Sequence, residues 1–347
     1  MHEKSQRAGS PPRALAVAAV ISSPAARKPH LPISRTNMLK GLSLTPPVVG
    51  RISIGRVTEK NGKRVPAADD QFTLTTQVQQ RGEWLMHPLN ERLRKAAPGK
   101  LRAIPVRMLF NNPNLNLRAD YSLFDRDTGR PVCVGNGETC RRVYMDGSGI
   151  ETLPCPSPDG CAFGQQGGCK PYARLNVLID DHEGDQLSSF IFRTTSWNSI
   201  RTLAARLHYF NAVSGNLLAC LPLQLVLRGK STAQSYRAPI YYVDLGVRSG
   251  STLEEALVEA KELDARRRAA GFNQAALDAA AGAGFANGAF EDSPDEQTAV
   301  AEAFFPPSEL RDTDRASPAV PEAPSSAAPT LREKLERKAV LLEGKAA

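Results

Sequence analysis

At 347 residues the chain can hold one large domain or two small ones, and a hydrophobic content of 41% is enough for a true core. A formal charge of +8 permits nucleic-acid contact without demanding it, and six cysteines in so long a chain exclude a disulfide scaffold. No stretch approaches the roughly 20 apolar residues that a membrane-spanning helix needs, so the expected location is the cytoplasm, away from any membrane.

Residues 1–37 are rich in Pro, Ser, Arg and Ala without periodicity and are expected to be a disordered leader. Within them Ala14–Ile21 mimics a short signal peptide, but the run is Ala-rich and too brief. An alternative is that translation opens at Met38 and that residues 1–37 are not made. Residues 38–275 carry the alternations of an α+β core domain. VVGRISIGRV predicts a strand, with a turn at Asn61-Gly62, and QFTLTTQV predicts a half-buried strand. Glu83–Ala97 has room for a short helix, Ile104–Phe110 and Asn116–Phe124 read as strands, and Asp125–Arg130 is a turn. Leu175–Asp180 and Leu187–Thr194 flank a polar tip and predict a β-hairpin.

A helix follows, capped by Thr195 or Ser196 and stopped at Gly215. Its apolar face is Trp197, Ile200, Leu203, Leu207 and Phe210. LQLVL predicts a central strand and APIYYVDL another. Ser251 and Glu254 match a capping box at the start of a second main helix, with Leu253, Leu257 and Ala260 on one side. Residues 276–329 turn acidic and Pro/Ala-rich and are expected to be a disordered linker; 330–347 regain a short amphipathic helix, Thr330–Glu343.

Five of the six cysteines lie between Cys133 and Cys169. Cys155, Cys161 and Cys169 sit among Pro and Gly, a composition that cannot bury enough apolar surface to hold a loop. A structural zinc ion is the expected staple, with free structural cysteines, an iron–sulfur cluster or a redox pair as the alternatives. The spacing Cys140-x14-Cys155-x5-Cys161-x7-Cys169 nominates those four as ligands, with Cys133 able to replace Cys140 and His182 an outside candidate. Four thiolates close the coordination sphere, so such an ion supports folding rather than catalysis. Cys220, in LLACLPL, reads as a core thiol.

Two weaker constellations remain. Arg193, Thr195 and Ser196 precede a helix and, with Arg201, form a candidate phosphate or partner contact; a capped helix with a surface Arg is the plain alternative. Arg201 and His208 share a helix face. Asp180, Asp181, Glu183 and Asp185 are either a solvated hairpin tip or, with His182, a hydrolytic metal site. No nucleophile elbow, HExxH or P-loop occurs, and no catalytic residue is assigned.

The combination of Cys155-x5-Cys161-x7-Cys169-Lys170-Pro171, the strand and helix start FIFRTTSWNSI, and the later strand PIYYVDL resembles the recombination directionality factor-like proteins of phages and integrative conjugative elements. The resemblance covers roughly Met38–Gly250. It implies a non-enzymatic accessory factor that binds a large serine integrase and biases it toward excision, with Cys155, Cys161 and Cys169 as ligands and with DNA contact weak or dependent on the integrase. The expected architecture is thus an antiparallel or mixed sheet with an inserted zinc knuckle, two main helices and disordered ends. The rival readings are a zinc-containing nucleic-acid-binding protein and a metal-dependent hydrolase.

Overall fold

The computed structural model describes residues 47–60, 63–81, 83–96, 99–144, 147–181, 188–231, 239–285 and 297–305. All of them fall within one compact unit, Gly41–Ala347. The leader, the Asn61-Gly62 turn, His182, Glu183, Asp185 and the helix expected at Thr330–Glu343 lie outside the described residues.

The chain is α+β. Its strands are β1 (Val48–Lys60), β2 (Lys63–Gln80), β3 (Glu83–Met86), β4 (Ala103–Arg107), β5 (Leu117–Phe124), β6 (Pro131–Gly135), β7 (Thr139–Val143), β8 (Ile150–Pro154), β9 (Lys170–Ile179), β10 (Ser189–Thr194), β11 (Leu223–Ser231) and β12 (Pro239–Val247). Its helices are α1 (Pro88–Ala96), α2 (Pro113–Asn116), α3 (Ser157–Gly160), α4 (Ala162–Gly167), α5 (Trp197–Val213), α6 (Leu253–Ala269), α7 (Gln274–Gly284) and α8 (Gln297–Phe304).

The main sheet runs β3-β2-β1-β10-β9-β5-β6-β7-β8. Only β1 against β10 is parallel along it, so the sheet is mixed. β9 is where the structure branches. Its first half pairs with β5, while Leu178 and Ile179 pair with β4, which leads on to β11 and β12. A ten-residue strand with six consecutive buried positions can serve both branches because each side meets a covering layer.

One face of this sheet is the main core. Leu74, Ile104, Val106, Leu175, Val177, Phe190 and Phe192 pack there against Leu203 and Leu207 of α5 and Ala256 and Ala260 of α6. α5 is the predicted helix, with Ile200, Leu203, Leu207 and Phe210 buried at helical spacing. Ser196 caps it, accepting from Ser199 N. Trp197 departs from the expected stripe: it occupies the first helical turn and is 54% exposed. The capping box of α6 is Thr252 and Glu255, one residue later than expected, because Ser251/Glu254 and Thr252/Glu255 offer the same spacing.

Two regions differ from expectation. The stretch between Cys133 and Cys169 contains the β6–β7–β8 meander and two short helices, α3 and α4, where a bare loop was expected. The stretch assigned to an acidic linker, 276–329, contains most of α7 and all of α8. α7 packs Leu277 and Ala281 near Phe110 and Leu115, and α8 packs Val300 and Phe304 on Phe124, Val134 and Tyr172. Both helices are held by partners far away in sequence, which local composition does not reveal.

Candidate metal centre

The cysteines are positioned by two structures that face one another. The first is the β6–β7 hairpin, whose register sets Cys133 opposite Arg142 and Gly135 opposite Cys140. Its turn is fixed by Asn136 Oδ1, which accepts from Glu138 N at 2.9 Å and Thr139 N at 2.8 Å. β8 continues the sheet with Leu153 opposite Cys140. The second is the α3–α4 pair, in which Cys161 is the last residue before α4. Its sulfur accepts from Gly164 N at 3.3 Å. Cys155 is tied to the hairpin by its N–H, which donates to Glu138 O at 2.8 Å. Cys169 N donates to Gly164 O at 2.7 Å, directly before β9 begins.

The result is a single pocket lined by Cys133, Cys140, Cys155, Cys161 and Cys169. All five are free thiols. Two glycines make the space. A Cβ on Gly135 would stand 2.8 Å from Cys155 Sγ and 2.7 Å from Cys140 Cβ; a Cβ on Gly164 would stand 3.1 Å from Cys169 Cβ and 3.5 Å from Cys161 Sγ. A side chain at Gly135 would displace the Cys155 sulfur, and one at Gly164 would press on the Cys169 Cβ. Arg142 closes the rim, with Nη2 4.0 Å from Cys161 Sγ and its guanidinium stacked 4.1 Å from the Phe163 ring centroid. A cation there complements negative charge on sulfur.

Burial pushes the Cys140 thiol up to about 11, reinforced by its hydrogen bond with Cys133 and the nearby Cys155. Burial and the surrounding thiols push Cys169 up to about 12. Gathering thiolates without a cation is electrostatically unfavourable, so in this arrangement those two sulfurs hold their protons. Accordingly, among the described residues no three His, Cys, Asp or Glu side chains converge as a ready coordination sphere. Among the described residues the inserted zinc knuckle expected from spacing is not shown; the stretch is a thiol-lined pocket. Cys133 joins Cys140 in that lining rather than replacing it, and the strands and Arg142 that complete it were missed. Gly135-Asn136-Gly137 is a turn signal, so the hairpin left a faint trace in its turn alone.

Arg193 lies on β10 next to core-facing Phe192, hence on the sheet face opposite α5, and pairs in register with Arg174. Thr194 Oγ1 accepts from Ser196 N, and Ser196 caps α5, so these hydroxyls serve the helix start. Arg201 and His208 are exposed on α5. The described carboxylates of the hairpin tip are held by guanidinium groups: Asp180 accepts from Arg107 Nε at 2.8 Å and from Arg248, and Asp181 lies 3.0 Å from Arg92. Carboxylates already neutralised in this way are poor ligands for a hydrolytic metal. Cys220 is buried in the main core, as expected.

Among the described residues no helix is long and apolar enough to cross a membrane. No curated protein and no solved structure matches the chain. A family model, described as Gp3-like, recombination directionality factor-like, matches residues 49–248. That span runs from β1 to the end of β12 and includes all six cysteines; it is more than half of the sequence. The chain belongs to the Gp3-like family of recombination directionality factor-like proteins.

Proposed function

We propose that the protein is a non-enzymatic accessory factor of site-specific DNA recombination that binds a serine integrase and biases it toward excision. The family match over the whole β1–β12 core carries this reading. Physically, the role requires only that the protein bind one arrangement of the integrase more tightly than another; a differential of a few kcal/mol shifts the product ratio by orders of magnitude. No bond need be made or broken by this chain.

A structural Zn2+ belongs to the same reading. Cys140, Cys155, Cys161 and Cys169 would hold it, with Cys133 and Arg142 beside them. Five thiols in one pocket, with Gly135 and Gly164 leaving room for the sulfurs, support the fit. The ion would replace thiol protons and draw the α3–α4 segment onto the hairpin, and binding in small zinc modules is worth roughly 10–16 kcal/mol. It would leave no position for a substrate.

The test is recombination in vitro with the serine integrase encoded beside this gene, using paired substrates that report integration and excision. Addition of the protein is expected to raise excision and suppress integration. An unchanged ratio at saturating protein would overturn the proposal.

A further inference from the structure

The chain carries its charges unevenly. From Gln186 to Val243 it has six Lys or Arg and no Asp or Glu. At the chain's own average of 36 acidic residues in 347, that span would hold about six. It supplies β10, α5, β11 and the first half of β12, and Asp244 is the first carboxylate after it. The connection 232–238, outside the described residues, adds no carboxylate by sequence. The surface built from this span is therefore of one sign.

α5 turns Ile200, Leu203, Leu207 and Phe210 to the core and leaves Trp197, Arg201, His208 and Tyr209 exposed. Among the described residues no carboxylate pairs with Arg201. β11 adjoins this side of the helix. Lys230 Nζ donates to Asn198 Oδ1, in the first turn of α5, at 2.7 Å, and stands 6.0 Å from the Tyr242 ring centroid. Arg201 follows Asn198 by three residues, so it is a neighbour on the helix surface. Further along, Arg206 of α5 and Arg228 of β11 meet on one buried carboxylate. Both donate through Nε to Asp244, at 3.1 Å and 2.6 Å, and both side chains remain about half exposed. Arg201, Arg206, Arg228 and Lys230 thus share one surface with a single carboxylate, and the bonds to Asn198 and Asp244 fix where three of them stand.

We propose that the exposed side of α5 and the adjoining rim of β11 bind the phosphate backbone of duplex DNA. A fixed surface of one sign complements phosphates. Arg and Lys reach phosphate oxygens without reading bases, so the contact is independent of sequence. A protein partner would need clustered apolar anchors. Trp197 and Tyr209 are twelve residues apart, about 18 Å along the helix axis, and do not form one. The 17 residues of α5 span about 25 Å, roughly seven base pairs of duplex, which leaves room for four phosphate contacts. The proposal takes its setting from the accessory-factor reading and deepens it: the factor grips DNA beside the integrase with a weak, salt-sensitive contact of its own.

The test titrates the full chain into a labelled duplex of about 30 bp and arbitrary sequence, read by fluorescence anisotropy at roughly 50–200 mM salt. Four phosphate contacts predict a slope of log affinity on log salt of about −3 to −4. Arg201→Gln/Lys230→Gln removes two contacts; the slope should shrink by about 2 and affinity at the lowest salt should fall about tenfold or more. Arg206 and Arg228 are left in place because they neutralise buried Asp244. Arg201→Gln alone should shrink the slope by about 1 and substitutes if the double variant does not melt cooperatively. Lys95→Gln/Arg130→Gln takes the same charge from α1 and from the turn before β6, and should leave affinity within about twofold of the wild type. Equal losses in the two double variants would overturn the proposal, because net charge rather than this face would then be acting. So would a wild-type chain that leaves the duplex unbound at the lowest salt, or an Arg201→Gln/Lys230→Gln variant that loses integrase binding with its duplex binding unchanged. Failure of the wild type to redirect recombination while the duplex titrations behave as expected would count against the accessory role alone.

Discussion

The centre of the β-structure, where the two branches meet, and the β6–β8 end of the main sheet are held together by different physics. Around β9, β10, β4 and β11 the sheet is covered by α5 and α6, and residues such as Leu203, Leu207, Leu225 and Val243 are completely buried. Around β6, β7 and β8 the buried cluster is Leu123, Cys133 and Cys140, with Val132, Leu153, Cys155 and Cys169 half-buried beside it. The first region is stabilised by apolar area, at about 25 cal/mol per Å². The second has too little of it, and its sulfurs occupy positions where a core would have leucines. A domain can thus carry one half built on apolar area and one half built around thiols.

Changes that remove apolar area should be felt across the whole core. Leu207→Ala in α5 is expected to cost about 2–5 kcal/mol of global stability, read by urea denaturation, with no dependence on added zinc. A loss below about 0.5 kcal/mol would mean that α5 is not packed as described. Cys161→Ser should sharpen the contrast in the other direction. Amide exchange is expected to quicken about tenfold or more in β7, β8 and α4, while α5 and β11 keep their protection. Uniform loss of protection would contradict the division into two regions.

Smaller effects come from polar groups at the edges of the main core. Asp244 is buried and receives Arg228 Nε at 2.6 Å and Arg206 Nε at 3.1 Å. Burial alone would raise its pKa; the Arg228 and Arg206 hydrogen bonds overcome that and hold it below the usual carboxylate range. A depressed folded-state pKa adds stability above the unfolded value, and that stability is lost as pH falls below about 4. Asp244→Asn is expected to lower stability at pH 7 by about 1–3 kcal/mol and to flatten the acid limb of a stability–pH profile. An unchanged acid limb would remove Asp244 as its source. Thr252→Ala, which deletes the α6 cap, should cost about 1 kcal/mol, and a Thr252→Ser control should restore most of it.

How much of this was readable follows the same divide. α5 was legible because Ile200, Leu203, Leu207 and Phe210 repeat at helical spacing between a Ser cap and a Gly stop. The β9–β10 hairpin was legible because apolar runs flank a polar tip. The thiol pocket was legible as a set of ligand types but not as a shape. Nothing local in TCRRV or IETLP announces that Gly135 must yield to Cys155, and four sulfurs in sequence do not state whether they meet as thiolates or lie apart as thiols. α8 was invisible for a related reason: Val300 and Phe304 are two apolar residues in an Ala-rich run, and their value comes from Phe124 and Tyr172, well over a hundred residues earlier. Trp197 shows the converse, an apolar residue in phase with a stripe but at its exposed end.

The dependence of the thiol region on a metal is the claim that separates the two halves, and native mass spectrometry of the intact chain tests it directly. The account predicts one zinc per chain, lost in Cys161→Ser, with affinity rising with pH by up to about one decade per unit for each thiol proton displaced. A chain purified with zinc in every buffer that still carries no metal, while β7, β8 and α4 remain protected from exchange, would contradict it.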